Sequence, residues 1–128
     1  MAYNAHHRVD PNQSEIMRFL REECGFSVQS LADLGKGVVD LMIGVQVINN
    51  HRLPEKIVRL NILLEVKKSE RDSLNEKQEE WHGKWKGQCG VAFSPLSALE
   101  EINRYVSYVG FSLPANVKAK LLELRQTS

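Results

Sequence analysis

Apolar positions along the chain change period several times, and each change marks an element. In "SEIMRFLREECGF" (residues 14–26), Ile16, Met17, Phe19 and Leu20 recur at helical spacing, with Ser14 placed to cap the start and Gly25 to stop it. "SVQSL" reads as a short strand and "DLGKG" as a glycine-bearing loop. The β-prone runs "VVDLMIGVQVI" and "IVRLNILLEVKK" flank "NNHRLPEK", whose Asn49, Asn50 and Pro54 punctuate a turn; together they predict an antiparallel pair. "SLNEKQEEWHGKWKG" returns to helical spacing and is expected to close at Gly87, and "QCGVAFS" is a short apolar strand. Two more helices follow. "SPLSALEEINRYVSYVG" has Pro95 near its start and Ser97 to Glu100 at capping-box spacing, and "LPANVKAKLLELRQ" has a proline in its first turn. The order α, three strands, α, β, α, α predicts one α/β domain over residues 14–128, with a mixed central sheet flanked by helices. Residues 1–13 read as a polar lead-in, and residues 60–94 as a right-handed crossover if their strands are parallel neighbours.

Three polar groups sit where this pattern expects burial. Strand side chains alternate faces, so Ile62, Leu64 and Val66 point one way while Leu63, Glu65 and Lys67 point the other. The second face begins apolar and ends in an acid and a base about 7 Å apart along the strand. Asp40 likewise interrupts "VVDLMI", and if the two strands pair, Asp40 and Glu65 lie side by side. On the following helix Leu74, Gln78, Trp81 and Trp85 form one stripe, which turns Gln78 toward the sheet. An unpaired amide there would cost roughly 1–3 kcal/mol.

Two carboxylates buried together need positive charge between them. A divalent ion such as magnesium, held by one or two carboxylates with several waters, is the economical answer. It would activate water and stabilise a charged phosphorus centre. Lys67 on the same face is placed to orient the water or stabilise developing phosphate charge, and Gln78 to hydrogen-bond the water, the lysine or a DNA backbone. The three surprises then form one site for metal-assisted phosphodiester hydrolysis.

Blander readings stand beside this one. Glu65 and Lys67 also suit a solvated strand edge, Asp40 a strand end, and Gln78 a backbone partner. His82 is expected on the helix surface, and the tryptophans in the core and not as a base-stacking platform. The "GKG" at 35–37 lacks the phosphate-loop pattern, and His6 and His7 have no partners at zinc spacing.

Composition removes some alternatives. At 128 residues and a net charge of +1, from 17 basic and 16 acidic residues, the chain has no overall field for a polyanion. Any nucleic acid must meet a local patch. Two cysteines, Cys24 and Cys89, are too few for a disulfide framework and suggest a reduced, intracellular setting. No apolar run approaches the ~18 residues of a membrane span, and "MAYNAHHRVDPNQ" lacks the apolar core of a signal peptide.

Gly-Val-Val-Asp40 on one strand, Glu65-x-Lys67 on the next and Gln78 on a following helix resemble the PD-(D/E)XK nuclease superfamily. The resemblance spans roughly residues 14–104. Upstream, a helix with Glu15 ending in "GFSV" is similar to archaeal Holliday-junction resolvases. Downstream, "LNEKQEEWHGKWKGQCGVAFSPLSALEEI" resembles the VRR-NUC branch, whose small stand-alone members are typical of phages and prophages. The resemblance implies a restriction-endonuclease-like core. It implies Asp40, Glu65 and the Val66 carbonyl as ligands of Mg2+ or Mn2+, Lys67 as catalytic lysine and Gln78 as motif glutamine. Glu15 would be the supporting first-helix acid, with Glu22 and Glu23 as alternatives. Val39 stands where the family usually has proline, and the 24 residues between Asp40 and Glu65 demand long strands or an extended "INNHRLPEK" loop.

The implied activity is DNA phosphodiester hydrolysis selective for junctions, flaps or nicks, in phage or bacterial replication, recombination or repair. An inactive nuclease-fold binder of nucleic acid or protein is the alternative, disfavoured by the intact Asp40, Glu65, Lys67 and Gln78 set. DNA contact is expected from Lys36, Lys68 and Arg71. Yet residues 65–87 hold six basic and six acidic residues, so affinity is expected to be modest or to come from a homodimer. Tyr105, Tyr108 and Phe111 suit either that interface or the core. No membrane and no organic cofactor are implied, and the expected location is the bacterial cytoplasm.

Overall fold

The computed structural model describes residues 11–34, 37–49 and 55–128. Its first helix, α1 (Pro11–Arg18), starts about one turn before the Ser14 cap expected from the sequence. Proline is well suited to a first helical position because its missing N–H would lack a partner there anyway. The helix continues through a widened turn at Phe19–Glu23, where the Cys24 N–H bonds back to the Phe19 carbonyl, and ends at Gly25 with φ +74°. Ile16, Phe19 and Leu20 are buried, as their spacing requires.

Four strands make one mixed sheet in the order β1 (Ser27–Ser30), β2 (Leu41–Asn49), β3 (Lys56–Val66), β4 (Cys89–Ala92). β1 and β3 flank β2 antiparallel, and β4 joins β3 in parallel. The β2–β3 ladder runs over nine pairs, from Leu41 opposite Leu64 to Asn49 opposite Lys56. Long strands therefore take up most of the separation between Asp40 and Glu65. The turn itself, residues 50–54, lies outside the described residues.

Among the described residues three further α-helices follow: α2 (Glu76–Lys84), α3 (Pro95–Tyr108) and α4 (Ala115–Thr127). One sheet face, carrying Leu41, Ile43, Val45, Val47, Ile62 and Leu64, packs against apolar residues of α1, α3 and α4 in a single core. The opposite face is more open, with Met42, Ile48 and Ile57 exposed. α2, inserted between the parallel strands β3 and β4, meets that face at the end where Glu65 lies.

Two capping details differ from the sequence reading. Ser94 and Ser97 form the capping box of α3, one turn before the expected Ser97–Glu100 pair. Glu100 instead accepts from Arg125 at 2.6 Å, joining α3 to α4. Gly87 does not end α2, because Trp85 is already extended (φ −74°, ψ 126°).

Candidate active site

Asp40 lies immediately before β2, held by a hydrogen bond from the Leu31 N–H to its carbonyl at 2.7 Å. Because Leu41 pairs with Leu64, Asp40 falls beside Glu65 on the open face. Its Oδ2 accepts from the Val66 N–H at 2.7 Å, so the side chain continues the strand pairing past the end of the ladder. Glu65 is only 2% exposed, one of two buried polar or charged residues among those described. Lys67 follows on the same face, half-buried, its N–H donating to the Ala92 carbonyl at 2.7 Å.

Gln78 reaches the cluster from the first turn of α2. Asn75 caps that helix: its Oδ1 accepts from the Gln78 N–H at 2.9 Å, and its N–H donates to Gln78 Oε1 at 3.0 Å. The amide is thereby oriented, with Nε2 donating to Glu65 Oε2 at 3.0 Å. Lys67 Nζ donates to Gln78 Oε1 at 3.3 Å and to the Ser73 carbonyl. Gln78 therefore links the acid and the base while forming half of a helix cap.

Burial pushes the Glu65 carboxyl up to about 9, reinforced by Asp40 through a shared hydrogen bond and its charge, and only partly offset by Lys67. Glu65 Oε1 remains buried without a hydrogen-bond partner. A buried Glu65 carboxyl with an unused oxygen, beside the half-buried Asp40 carboxylate, is what a hard divalent cation would satisfy, and two carboxylates with retained waters suffice for magnesium. No three His, Cys, Asp or Glu side chains gather as a metal-holding group among the described residues.

Two residues near the cluster escaped the sequence reading. His82 is not on the helix surface: its side chain is 14% exposed and Nε2 stands 3.6 Å from Glu65 Oε1. Its Nδ1 is 3.2 Å from Cys89 Sγ, and burial with the charge of Lys67 lowers its pKa. Gln78 and His82 are four apart and share the inward face of α2, whereas Trp85, at the same period, has already left the helix in an extended conformation. That spacing was visible in the sequence. Asn12 was hidden by the supposed lead-in. Its Nδ2 donates to the carbonyls of Lys67 at 2.7 Å and Phe93 at 2.6 Å, fastening the ends of β3 and β4.

The tryptophans are likewise not core. Trp85 is 47% exposed and stacks on half-buried Trp81. Glu15 is not brought to the cluster. With α1 starting at Pro11, Asn12 and Ile16 take the inner positions and Glu15 is exposed, lining a separate hollow of about 740 Å³ with Glu70, Ser94 and Glu101. Glu22 is exposed, and Glu23 pairs with Arg18 and Lys120. Another hollow, of about 670 Å³ beside Ile48, Phe111 and Leu122, is equally remote from the cluster residues. Lys68 and Arg71 are exposed on the loop leaving β3, next to Lys67. Lys36 lies outside the described residues; its neighbour Gly37 (φ +87°) packs against α2, where an added Cβ would stand 3.2 Å from the Lys77 carbonyl.

Tyr105 is half-buried, its hydroxyl bonded to Cys89, and Phe111 is half-buried against the core, whereas Tyr108 is exposed. No helix among the described residues is long and apolar enough to cross a membrane. Searches of protein-family models, curated proteins and solved structures returned no match to the chain.

Proposed function

We propose that Asp40, Glu65, Lys67 and Gln78 form the active site of a DNA phosphodiesterase of the PD-(D/E)XK kind, dependent on Mg2+ or Mn2+. The observation that carries this reading is the buried Glu65 carboxylate, set beside Asp40 and joined through Gln78 to Lys67. Asp40 and Glu65, with the Val66 carbonyl, would hold the ion. When bound, the ion supplies Lewis-acid activation of the phosphate and a more acidic water.

The protein's own groups do the rest. Gln78 fixes one Glu65 oxygen and leaves the other available. Lys67, steered by Gln78 and the Ser73 carbonyl, places positive charge where the phosphate oxygens gain negative charge during attack. Lys68 and Arg71 meet the DNA backbone beside this point. The reading favours a nuclease acting in the cytoplasm on phage or bacterial DNA.

The test is a cleavage assay on labelled duplex, flap, four-way junction and single-stranded DNA with magnesium, manganese or EDTA. Metal-dependent cutting is expected, and Lys67→Ala should lower it by at least a hundredfold. Cutting that persists in EDTA, or at full rate in Lys67→Ala, overturns the assignment. Manganese binding without any cutting would leave the inactive nucleic-acid binder as the correct reading.

A further inference from the structure

Trp81, half-buried on α2, and Trp85, exposed just past its end, lie nearly parallel, 11° apart with ring centroids at 4.9 Å. One indole face of Trp85 is taken by Trp81. Its Nε1 edge rests on Gly87, where an added Cβ would stand only 2.8 Å away. With one face and one edge covered, Trp85 still remains 47% exposed. A flat aromatic surface this large, fixed on two sides and open on the third, is unfavourable in water.

The surroundings indicate what covers it. Lys77, Glu80 and Lys84 line a shallow hollow of about 420 Å³ with the two indoles, and exposed Lys86 follows Trp85 directly. Glu80 pairs with Lys84 at 3.1 Å in an exposed contact of little strength, so the hollow itself sets two lysines against one carboxylate. An aromatic plane rimmed by positive charge is the usual platform for an unstacked base on a phosphate backbone. Trp85 lies seven residues beyond Gln78, about 10 Å along the helix, or about three stacked nucleotide steps.

We infer that the Trp81–Trp85 pair is a stacking platform for an unpaired nucleotide of the DNA substrate, close to the bond that is cut. This rests on the nuclease reading for its position in the reaction, but the binding it asserts stands apart from cleavage. It selects among substrates: a flap, a splayed junction or a single strand offers a free base, whereas a blunt duplex keeps its bases stacked.

The experiment uses the full chain in EDTA, so that cutting plays no part. These are the protein's two tryptophans, so its intrinsic indole emission reports on this pair alone. Short oligodeoxythymidine should quench it, and an abasic strand of equal length and charge should not. Trp85→Ala should weaken oligodeoxythymidine binding about 5- to 100-fold by anisotropy, with Trp85→Phe losing less. Gly87→Ala, which keeps both indoles but displaces Trp85, should also weaken it and guards against a Trp85→Ala protein that fails to fold. Equal binding of the abasic strand, or unchanged affinity in folded Trp85→Ala and Gly87→Ala, overturns the platform. Quenching by oligodeoxythymidine in a protein that cuts nothing would uphold the platform and remove the nuclease reading.

Discussion

Because burial and Asp40 push the Glu65 carboxyl up to about 9, the metal-free folded protein keeps a proton there that the unfolded chain releases near its ordinary value of 4.5. Between those values the folded state binds more protons, so stability falls as pH rises. The contribution is full below about 4.5 and lost by about 9. Thermal melts in EDTA from pH 7 to pH 9, above the range where the lowered His82 pKa acts in the opposite sense, should show a falling midpoint, and Glu65→Gln, which retains an oxygen for Gln78 Nε2, should flatten the fall. At pH 8 the variant should melt at least about 3 °C above the wild type, the scale of a 1 kcal/mol change. Saturating magnesium should reverse that order. An equally steep fall in Glu65→Gln would show that the buried charge lies elsewhere. The strand alternation and the expected pairing made this pair legible in the sequence. The proton balance was not, because it depends on how completely α2 covers Glu65.

At the scale of elements, α2 has two tasks that one substitution can separate. Asn75 supplies the cap alone, while Gln78 completes the cap and orients the acid and the base. Asn75→Ala and Gln78→Ala should each cost about 1 kcal/mol in urea unfolding. Cleavage should fall at least tenfold in Gln78→Ala and only a few-fold in Asn75→Ala. Matching activity losses would reduce Gln78 to a capping residue. The sequence showed α2 as a helix with Gln78 inward, because that depends on local spacing. Its limits were misread because Asn75 and Trp85 set them: capping satisfied the first turn later than Ser73, and Trp85 left the helix before Gly87. The same one-turn uncertainty misplaced α1. Starting at Pro11 puts Asn12 across the ends of β3 and β4 and turns Glu15 away. Inward position on a helix is decided by its first residue as much as by its period, and no local pattern at Ser14 could reveal that.

For the whole molecule, the balance of charge limits how DNA can be held. A net charge of +1 gives no broad attraction, and the basic residues near the cluster, Lys68, Arg71, Lys77 and Lys86, are interleaved with Glu70, Asp72, Glu76 and Glu79. Each neutralised phosphate contributes about −0.9 to the slope of log affinity against log salt on duplex DNA. Two or three contacts per chain would give a slope of roughly −2 to −3. Duplex affinities of the non-cutting Glu65→Gln protein, measured from low to physiological salt in calcium-free buffer, should follow that shallow line. A second copy presenting the same patch would about double it, and sedimentation at the same concentrations would then show a dimer on DNA. A steep slope from a protein that stays monomeric would place the DNA on basic residues away from the Asp40–Glu65 cluster, separating the surface that binds from the site proposed to cut. The slope thus tests whether binding and chemistry share one face, because charge counting and strand pairing reach that face by independent routes.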